Sequence, residues 1–184
     1  MTLKSLALLS CTLPFVVVQP ALAETWTVDP AQSTLGFEVQ QGSSTLTGQF
    51  TSWDASIEFD PDAPENADIS ATIRPASAST GNAQFDGTLP NGDWFDAAAF
   101  PDATFTADSV ERVEGDSYRA NGTLTIKGVS MPLVLDFTLA IDGDTATANG
   151  MATLNRLEYG LGSGVGTDTV GDVVTVTLNL TATR

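Results

Sequence analysis

Four aspartates lie close together in a stretch that interrupts an otherwise regular sequence pattern. They are Asp86, Asp93, Asp96 and Asp102. Two carboxylates placed across a bond can act as acid and as base or nucleophile, as in glycoside hydrolysis. Sequence spacing does not show such a placement, and acidic residues in turns are usually solvated. Carboxylate catalysis is therefore a minor hypothesis, and we assign no catalytic residue and expect no enzyme.

The composition excludes several kinds of active site. The chain of 184 residues contains no histidine and one cysteine, Cys11. This excludes a Ser-His-Asp triad, a Cys-His pair, a histidine metal site and histidine-ligated haem. The acidic turns at 60–62 and 142–144 do not have the spacing of an EF-hand calcium loop. We therefore predict no metal site and no cofactor.

Three cations are scarce enough to be considered one by one. Arg74 or Arg156 could meet a polar ligand head group, and Arg156 is the candidate we retain for that contact. An ion pair with a nearby acid is the favoured interpretation for both arginines. Lys127 precedes Gly128 in a predicted turn, so we expect a solvated turn lysine there rather than a buried reactive amine.

The net charge limits the partners. Seven basic residues stand against 23 acidic ones, which gives a net charge of −16. Such a charge repels phosphate backbones and anionic membrane surfaces, so we expect no nucleic-acid partner and no stable membrane insertion.

Residues 1–23 are typical of a secretory signal peptide. Lys4 supplies the positive charge, residues 6–18 are mostly apolar, and the small residues Ala21 and Ala23 flank a cleavage site. We expect cleavage after Ala23 and a periplasmic or secreted product. Processing as a lipoprotein at Cys11 is the less favoured alternative.

The remaining residues, 24–184, predict a single all-β domain. Apolar residues alternate with polar, Thr-rich ones, which is typical of half-buried antiparallel strands. We expect about eight strands closed into a barrel, because closure removes exposed strand edges. A two-sheet sandwich is the structural alternative. The clearest apolar rows are Leu35, Phe37 and Val39; Leu133, Leu135, Phe137, Leu139 and Ile141; and Val174, Val176, Leu178 and Leu180.

Two stretches break the alternation. Residues 82–100 predict a loop with one or two short helical turns, and a Gly-rich segment at 160–171 is expected to be mobile. The first stretch concentrates aromatic residues, which usually cap an opening or plug a core. They are Phe85, Trp94, Phe95 and Phe100.

Several motifs, in order along the chain, resemble the YceI-like family, bacterial polyisoprenoid-binding proteins with a lipocalin-like β-barrel. Each motif is weak alone, but six in the right order are specific. The matching segments are Trp26-Thr27-Val28-Asp29 with Ser33 and Phe37, Gly48-Gln49-Phe50 with Trp53, Ser79-Thr80 with Asp86 and Leu89, Asp93-Trp94-Phe95-Asp96 with Phe100-Pro101 and Phe105, Gly122-Thr123-Leu124-Thr125-Ile126-Lys127-Gly128, and Arg156 with Tyr159-Gly160.

The sequence departs from the family pattern at four positions. Gln32 and Thr88 stand where the family usually has histidine, Phe85 stands where arginine is common, and Glu158 stands where aspartate is common. Any head-group contact made by the family's histidines therefore differs in this chain.

The resemblance implies a carrier that holds an isoprenoid, a quinone-type lipid or a similar long apolar chain inside the barrel. It also makes a homodimer plausible. Inward apolar residues would line the tunnel, although any one of them could equally be core. The candidate ligand contacts are Phe37, Phe50, Trp53, Phe59, Phe85, Trp94, Phe95, Phe100, Phe105, Ile126, Leu135 and Phe137.

Two other functions remain open at this point. One is a small-molecule hydrolase or isomerase that uses the carboxylates of residues 82–102. The other is an interaction module of the cell envelope, whose interior would be filled with side chains and would bind no ligand.

Overall fold

The computed structural model describes residues 23–184. Its strands share one antiparallel sheet, with short 3-10 turns at Pro64–Asn66, Pro75–Ser77 and Arg156–Tyr159. Apart from Ala23, the predicted signal peptide and Cys11 lie outside the described residues and remain predictions. The elements are β1 Glu24–Val28, β2 Thr34–Gln41, β3 Ser44–Phe50, β4 Trp53–Phe59, β5 Asp68–Ile73, β6 Ala78–Ser79, α1 Ala83–Thr88, β7 Ala103–Glu114, β8 Ser117–Ile126, β9 Val129–Asp142, β10 Thr145–Asn155 and β11 Val170–Thr183.

Eight of the strands close into a ring. The order is β1, β4, β5, β7, β8, β9, β10 and β11, and β11 returns to β1 through the pairs Thr27 with Thr183 and Val28 with Ala182. The predicted antiparallel barrel of about eight strands is confirmed, and the sandwich alternative is wrong.

The remaining strands widen one end of the barrel. β11 pairs with β1 only at its last residues, while its earlier part, from Val170 to Asn179, pairs with β2. β2 continues into β3, and the far edge of β3 pairs only with the two-residue β6. The barrel is therefore closed at the β1 end, and the β2–β3 hairpin extends its wall at the other end.

The alternation read from the sequence is visible in the burial of the strands. In β8, residues from Tyr118 to Ile126 alternate between buried and half-buried. Asp142-Gly143, a dipeptide typical of tight hairpins, joins β9 to β10, and Asp142 pairs with Thr145 across a two-residue loop. Gly143 has a φ of 60° there, a backbone conformation that such short hairpin turns require.

The predicted helical interruption near residues 82–100 corresponds to α1 and the turns that follow it. The side chain of Asn82 caps α1 by accepting a hydrogen bond from the backbone N–H of Gln84 (2.9 Å). The helix ends within two turns, and the chain then folds through turns up to residue 99. Over residues 23–184, no helix has the length and apolar character needed to cross a bilayer.

An aromatic cluster fills the closed end of the barrel. The Phe59 ring lies 5.4 Å from the Tyr118 ring, edge on, and the Tyr118 and Phe137 rings stack at 5.4 Å. Trp26 donates from Nε1 to the carbonyl oxygen of Phe59 (3.0 Å), which ties β1 to β4. These large rings seal this end of the interior.

Candidate functional site

The wide half of the barrel encloses a cavity of about 450 Å³. Ligand pockets usually measure roughly 300–1,000 Å³, so the volume suits a small molecule. β2 to β5 and β7 to β11 supply apolar walls, and α1 with the turns after it covers the top. No carboxylate belongs to the lining in the described part of the chain. The polar lining side chains are Gln41, Gln84, Thr88, Arg156 and Thr169.

Most of the predicted contact residues lie in this lining, although ligand contact itself remains a prediction. Phe59 and Phe137 lie deeper, around a second cavity of about 80 Å³, and Leu135 borders both cavities. Phe100 belongs to neither lining and packs instead against Gly128. The residues around the larger cavity are Phe37, Phe50, Trp53, Phe85, Trp94, Phe95, Phe105, Ile126 and Leu135.

Two glycines in the wall leave room for aromatic rings beside the cavity. Phe37 pairs with Gly48 across β2 and β3, and its ring occupies the space that a Cβ of Gly48 would take, 2.3 Å from Cζ. The Phe105 ring lies in the same way against Gly122 of β8, at 2.7 Å. Because these rings lie against the wall, less of their volume projects into the cavity.

A series of aromatic contacts joins the wall to the cover of the cavity. The Phe37 and Phe50 rings are 5.3 Å apart, and Phe50 meets Phe95 edge on at 5.9 Å. Phe85 of α1 and Leu89, the residue that follows α1, line the cavity from the same cover. The segment that interrupts the strand pattern therefore forms the top of the cavity.

Arg156 lies beside the cavity and is 1% exposed. All five of its N–H groups donate to backbone carbonyls, the full set that a guanidinium offers. Burial lowers the pKa of Arg156, and the charge of Asp172 opposes that shift. The acceptors are the carbonyls of Gly171, Leu161, Gly162, Val165 and Val170, at 2.7–3.0 Å.

This arrangement corrects one expectation. The ion pair favoured for Arg156 is wrong, because the guanidinium bonds to carbonyls and forms no salt bridge within the described residues. The mobility expected of segment 160–171 stays a prediction, although five of its carbonyls accept hydrogen bonds from this guanidinium. A ligand head group could receive a hydrogen bond from Arg156 only if a carbonyl released one.

The cover is tied to segment 160–171 and to the β8–β9 turn. The Trp94 ring lies 5.7 Å from the Arg156 guanidinium and packs against Gly162, whose N–H donates to the Asp93 carbonyl (2.6 Å). Lys127 donates from Nζ to the Gly92 carbonyl (2.6 Å). This bond is exposed to solvent, so the expected turn lysine stays at the surface and also ties the β8–β9 turn to the cover.

The clustered aspartates serve the backbone and the surface. Asp86 accepts bonds from the N–H and hydroxyl of Thr80 (2.6 and 2.7 Å) and from the Ser79 hydroxyl (3.0 Å). The pKa of Asp86 is lowered mainly by the hydrogen bond from the Thr80 backbone N–H and next by the bond from the Thr80 hydroxyl. Asp102 pairs with Arg74 at 3.3 Å, which confirms the ion pair favoured for that arginine. Among the described residues, no three Asp, Glu or Cys side chains are grouped as a metal site requires.

The positions that depart from the family pattern fall into two groups. Gln32 is exposed and donates from its amide to Asp29 (2.6 Å), away from the cavity lining. Phe85 and Thr88 both line the cavity. Glu158 is exposed and does not line the cavity, so the changes that bear on the cavity are the two in α1.

The fold and the site together define a class: an antiparallel β-barrel protein with a covered, apolar internal cavity. A profile of the YceI-like domain matches residues 26–182. The chain belongs to the YceI-like family.

Named relatives and solved structures agree with this assignment. The chain is 36% identical to the UPF0312 protein plu2095 of Photorhabdus laumondii over 67% of its own length, and the match spans slightly less than two thirds (65%) of that relative. A UPF0312 protein of Pseudomonas savastanoi is 29% identical over 86% of this chain and 87% of its own. These names state no activity.

Two crystal structures share the fold. BcnA of Burkholderia cenocepacia superimposes with a TM-score of 0.80 at 31% identity, over 85% of this chain and 99% of BcnA. The YceI protein of Campylobacter jejuni superimposes with a TM-score of 0.71 at 30% identity, over 77% of this chain and 86% of that protein.

Substituting Gly48→Ala tests the packing of the wall. The new methyl group would overlap the Phe37 ring, so we expect the free energy of unfolding to fall by about 1–3 kcal/mol in urea titrations. Adding Phe37→Leu should recover part of the loss. Gly164→Ala, at a site with open space, is the control. Equal stability of Gly48→Ala and wild type would contradict this packing.

Substituting Arg156→Lys tests the attachment of segment 160–171. One ammonium cannot satisfy five carbonyls, so we expect a loss of about 2–4 kcal/mol in unfolding free energy and faster amide exchange at 160–171. Arg119→Lys, in the exposed pair with Asp136, should cost less than about 1 kcal/mol. Similar losses of unfolding free energy in both variants would show that the five carbonyl bonds of Arg156 stabilise the protein no more than an exposed ion pair does.

Proposed function

We propose that this protein is a carrier that holds an isoprenoid, a quinone-type lipid or a similar long apolar chain inside its barrel. One observation carries the proposal: a cavity of about 450 Å³ with an almost wholly apolar lining, inside a chain of net charge −16. The isoprenoid class comes from the family resemblance. Binding is by sequestration and requires no chemical step.

The energetics of transfer support binding of a long chain. Each buried methylene contributes about 0.8 kcal/mol, so about twenty carbons contribute up to about 16 kcal/mol. Association costs roughly 4–15 kcal/mol in lost freedom and ordering. A long hydrocarbon chain can offset that cost, whereas a short one cannot.

The mouth of the cavity favours an uncharged head group. Gln84, Thr88 and Thr169 line the cavity and are also exposed, so they mark its opening. Gln41, paired with Val170, contributes a half-buried amide to the same lining. Amides and hydroxyls can hydrogen-bond a carbonyl or hydroxyl oxygen. We therefore expect a neutral, oxygen-bearing head group at this end.

The carrier would act outside the cytoplasm if residues 1–23 are a signal peptide. Their removal takes away one of seven basic residues and no acidic residue, so the net charge goes from −16 to −17. A strongly charged exterior keeps a lipid-filled protein soluble. A homodimer remains part of the proposal.

No specific observation favours either of the two alternative functions. A hydrolase or isomerase using Asp86 or Asp93 would need these carboxylates at the ligand, but neither lines the cavity. An interaction module with a filled interior would not have a cavity of about 450 Å³.

The test is to express the precursor in a Gram-negative host, purify the protein from the periplasm and analyse its organic extract by mass spectrometry. We expect a stoichiometric isoprenoid, quinone-type or fatty-chain species. Ala71→Phe would place a ring in the cavity and should lose this species. Thr72→Phe, on the outer face of the same strand, should keep it.

An empty extract from wild type that also fails to take up added polyprenyl lipid would contradict the carrier. Equal lipid content in the Ala71→Phe and Thr72→Phe proteins would place the lipid outside the barrel.

A further inference from the structure

The interior of the barrel continues beyond the main cavity. The second cavity, of about 80 Å³, has an entirely apolar lining and lies towards the closed end. Five residues border both cavities, so a single layer of side chains lies between them. These are Ile57, Ile69, Leu135, Leu178 and Leu180.

Next to this layer, one inward position of β10 has no side chain. Gly150 of β10 pairs with Phe137 on one side and with Leu178 on the other. A Cβ at Gly150 would lie 3.1 Å from Leu135 Cδ1, 3.4 Å from Phe137 Cβ and 3.5 Å from Leu178 Cβ. A Cβ here would press on the Leu135 methyl group, and a branched side chain would take the space between residues that border the two cavities.

The neighbouring inward positions of β10 are also small. Ala152 lines the main cavity, while Ala148 and Ala146 line the inner one. β10 thus presents only methyl groups and one hydrogen atom along the wall that runs from one cavity to the other. The other strands bordering the layer present leucine and isoleucine side chains, which can change rotamer.

The inner cavity ends at the aromatic cluster. Phe59 and Phe137 line it, and Tyr118 packs against both rings. Trp26, fixed by its bond to the Phe59 carbonyl, lines the same end. This end offers no polar lining group, so it suits the terminal carbons of an apolar chain and no head group.

We propose that the inner cavity receives the far end of the bound chain, and that Gly150 sets the chain length by leaving room for the leucine and isoleucine side chains between the cavities to move aside. The proposal rests on the carrier function and assigns its length specificity. The chain would enter at α1, run along the small residues of β10 and stop at the Phe59–Tyr118–Phe137 cluster.

The experiment measures affinity for straight-chain alcohols from decanol to docosanol by displacement of a fluorescent naphthylamine from delipidated mature protein. Affinity for wild type should rise about fourfold with each added methylene. It should level off once the chain reaches the aromatic cluster.

Two variants shorten the tunnel in different ways. Gly150→Val removes the room in which the side chains between the cavities could move, and Ala148→Leu fills the inner cavity without changing Gly150. Both should bind decanol as wild type does, and both should level off at a shorter alcohol. Ala140→Leu makes the same substitution as Ala148→Leu, but on the outer face of β9, and should keep the wild-type profile.

The outcomes separate this inference from the carrier function. If wild type shows the length dependence and the folded Ala148→Leu protein levels off at the same alcohol, the inference is overturned and the carrier stands. If wild type binds no alcohol of any length, both proposals fail.

Discussion

The width of an eight-stranded barrel is the constraint on which the rest of this structure depends. Such an interior is just wide enough to be filled by side chains or to hold one small ligand. Phe37 and Phe105 leave space inside because Gly48 and Gly122 let their rings lie against the wall. Along β10 the same result comes from alanines and Gly150. Glycine, which usually weakens a strand, here supplies the volume of the cavity.

The mouth depends on a buried cation as well as on aromatic packing. A segment rich in glycine and poor in regular structure exposes many carbonyls, and Arg156 gathers five of them. Trp94 stacks near the same guanidinium and carries the cover with it. The cover and segment 160–171 therefore both contact Arg156, so the arrangement of the mouth depends in part on this one side chain.

Period-two alternation predicted antiparallel strands and the inward positions of the wall, and the need to remove exposed strand edges favoured a barrel over a sandwich. Inward positions such as Phe37, Phe105 and Leu135 follow directly from which face of a strand a residue occupies. The short helix near residue 83 could also be predicted, because aromatic residues and Asn82 interrupt the pattern. Strand faces and the short helix are local features, and local spacing encodes them.

Other features depend on contacts between distant segments. Nothing in the spacing around Arg156 indicates that its partners are carbonyls rather than acids. Lys127 reaches Gly92 across 35 positions. Phe100 follows the aromatic-rich pattern of its neighbours, but the chain has turned by then and its ring meets Gly128. The alternation of apolar and polar residues predicts which face of a strand a residue occupies, but it does not predict the path of a loop.

The central claim is that the cavity holds a hydrocarbon chain, and a crystal structure of the protein as purified from the periplasm tests it most directly. The account predicts continuous, tube-shaped electron density that starts near Gln84 and Thr88 and runs down the barrel past Leu135. Ordered water in the main cavity, or wall rings turned inward to fill it, would contradict the account.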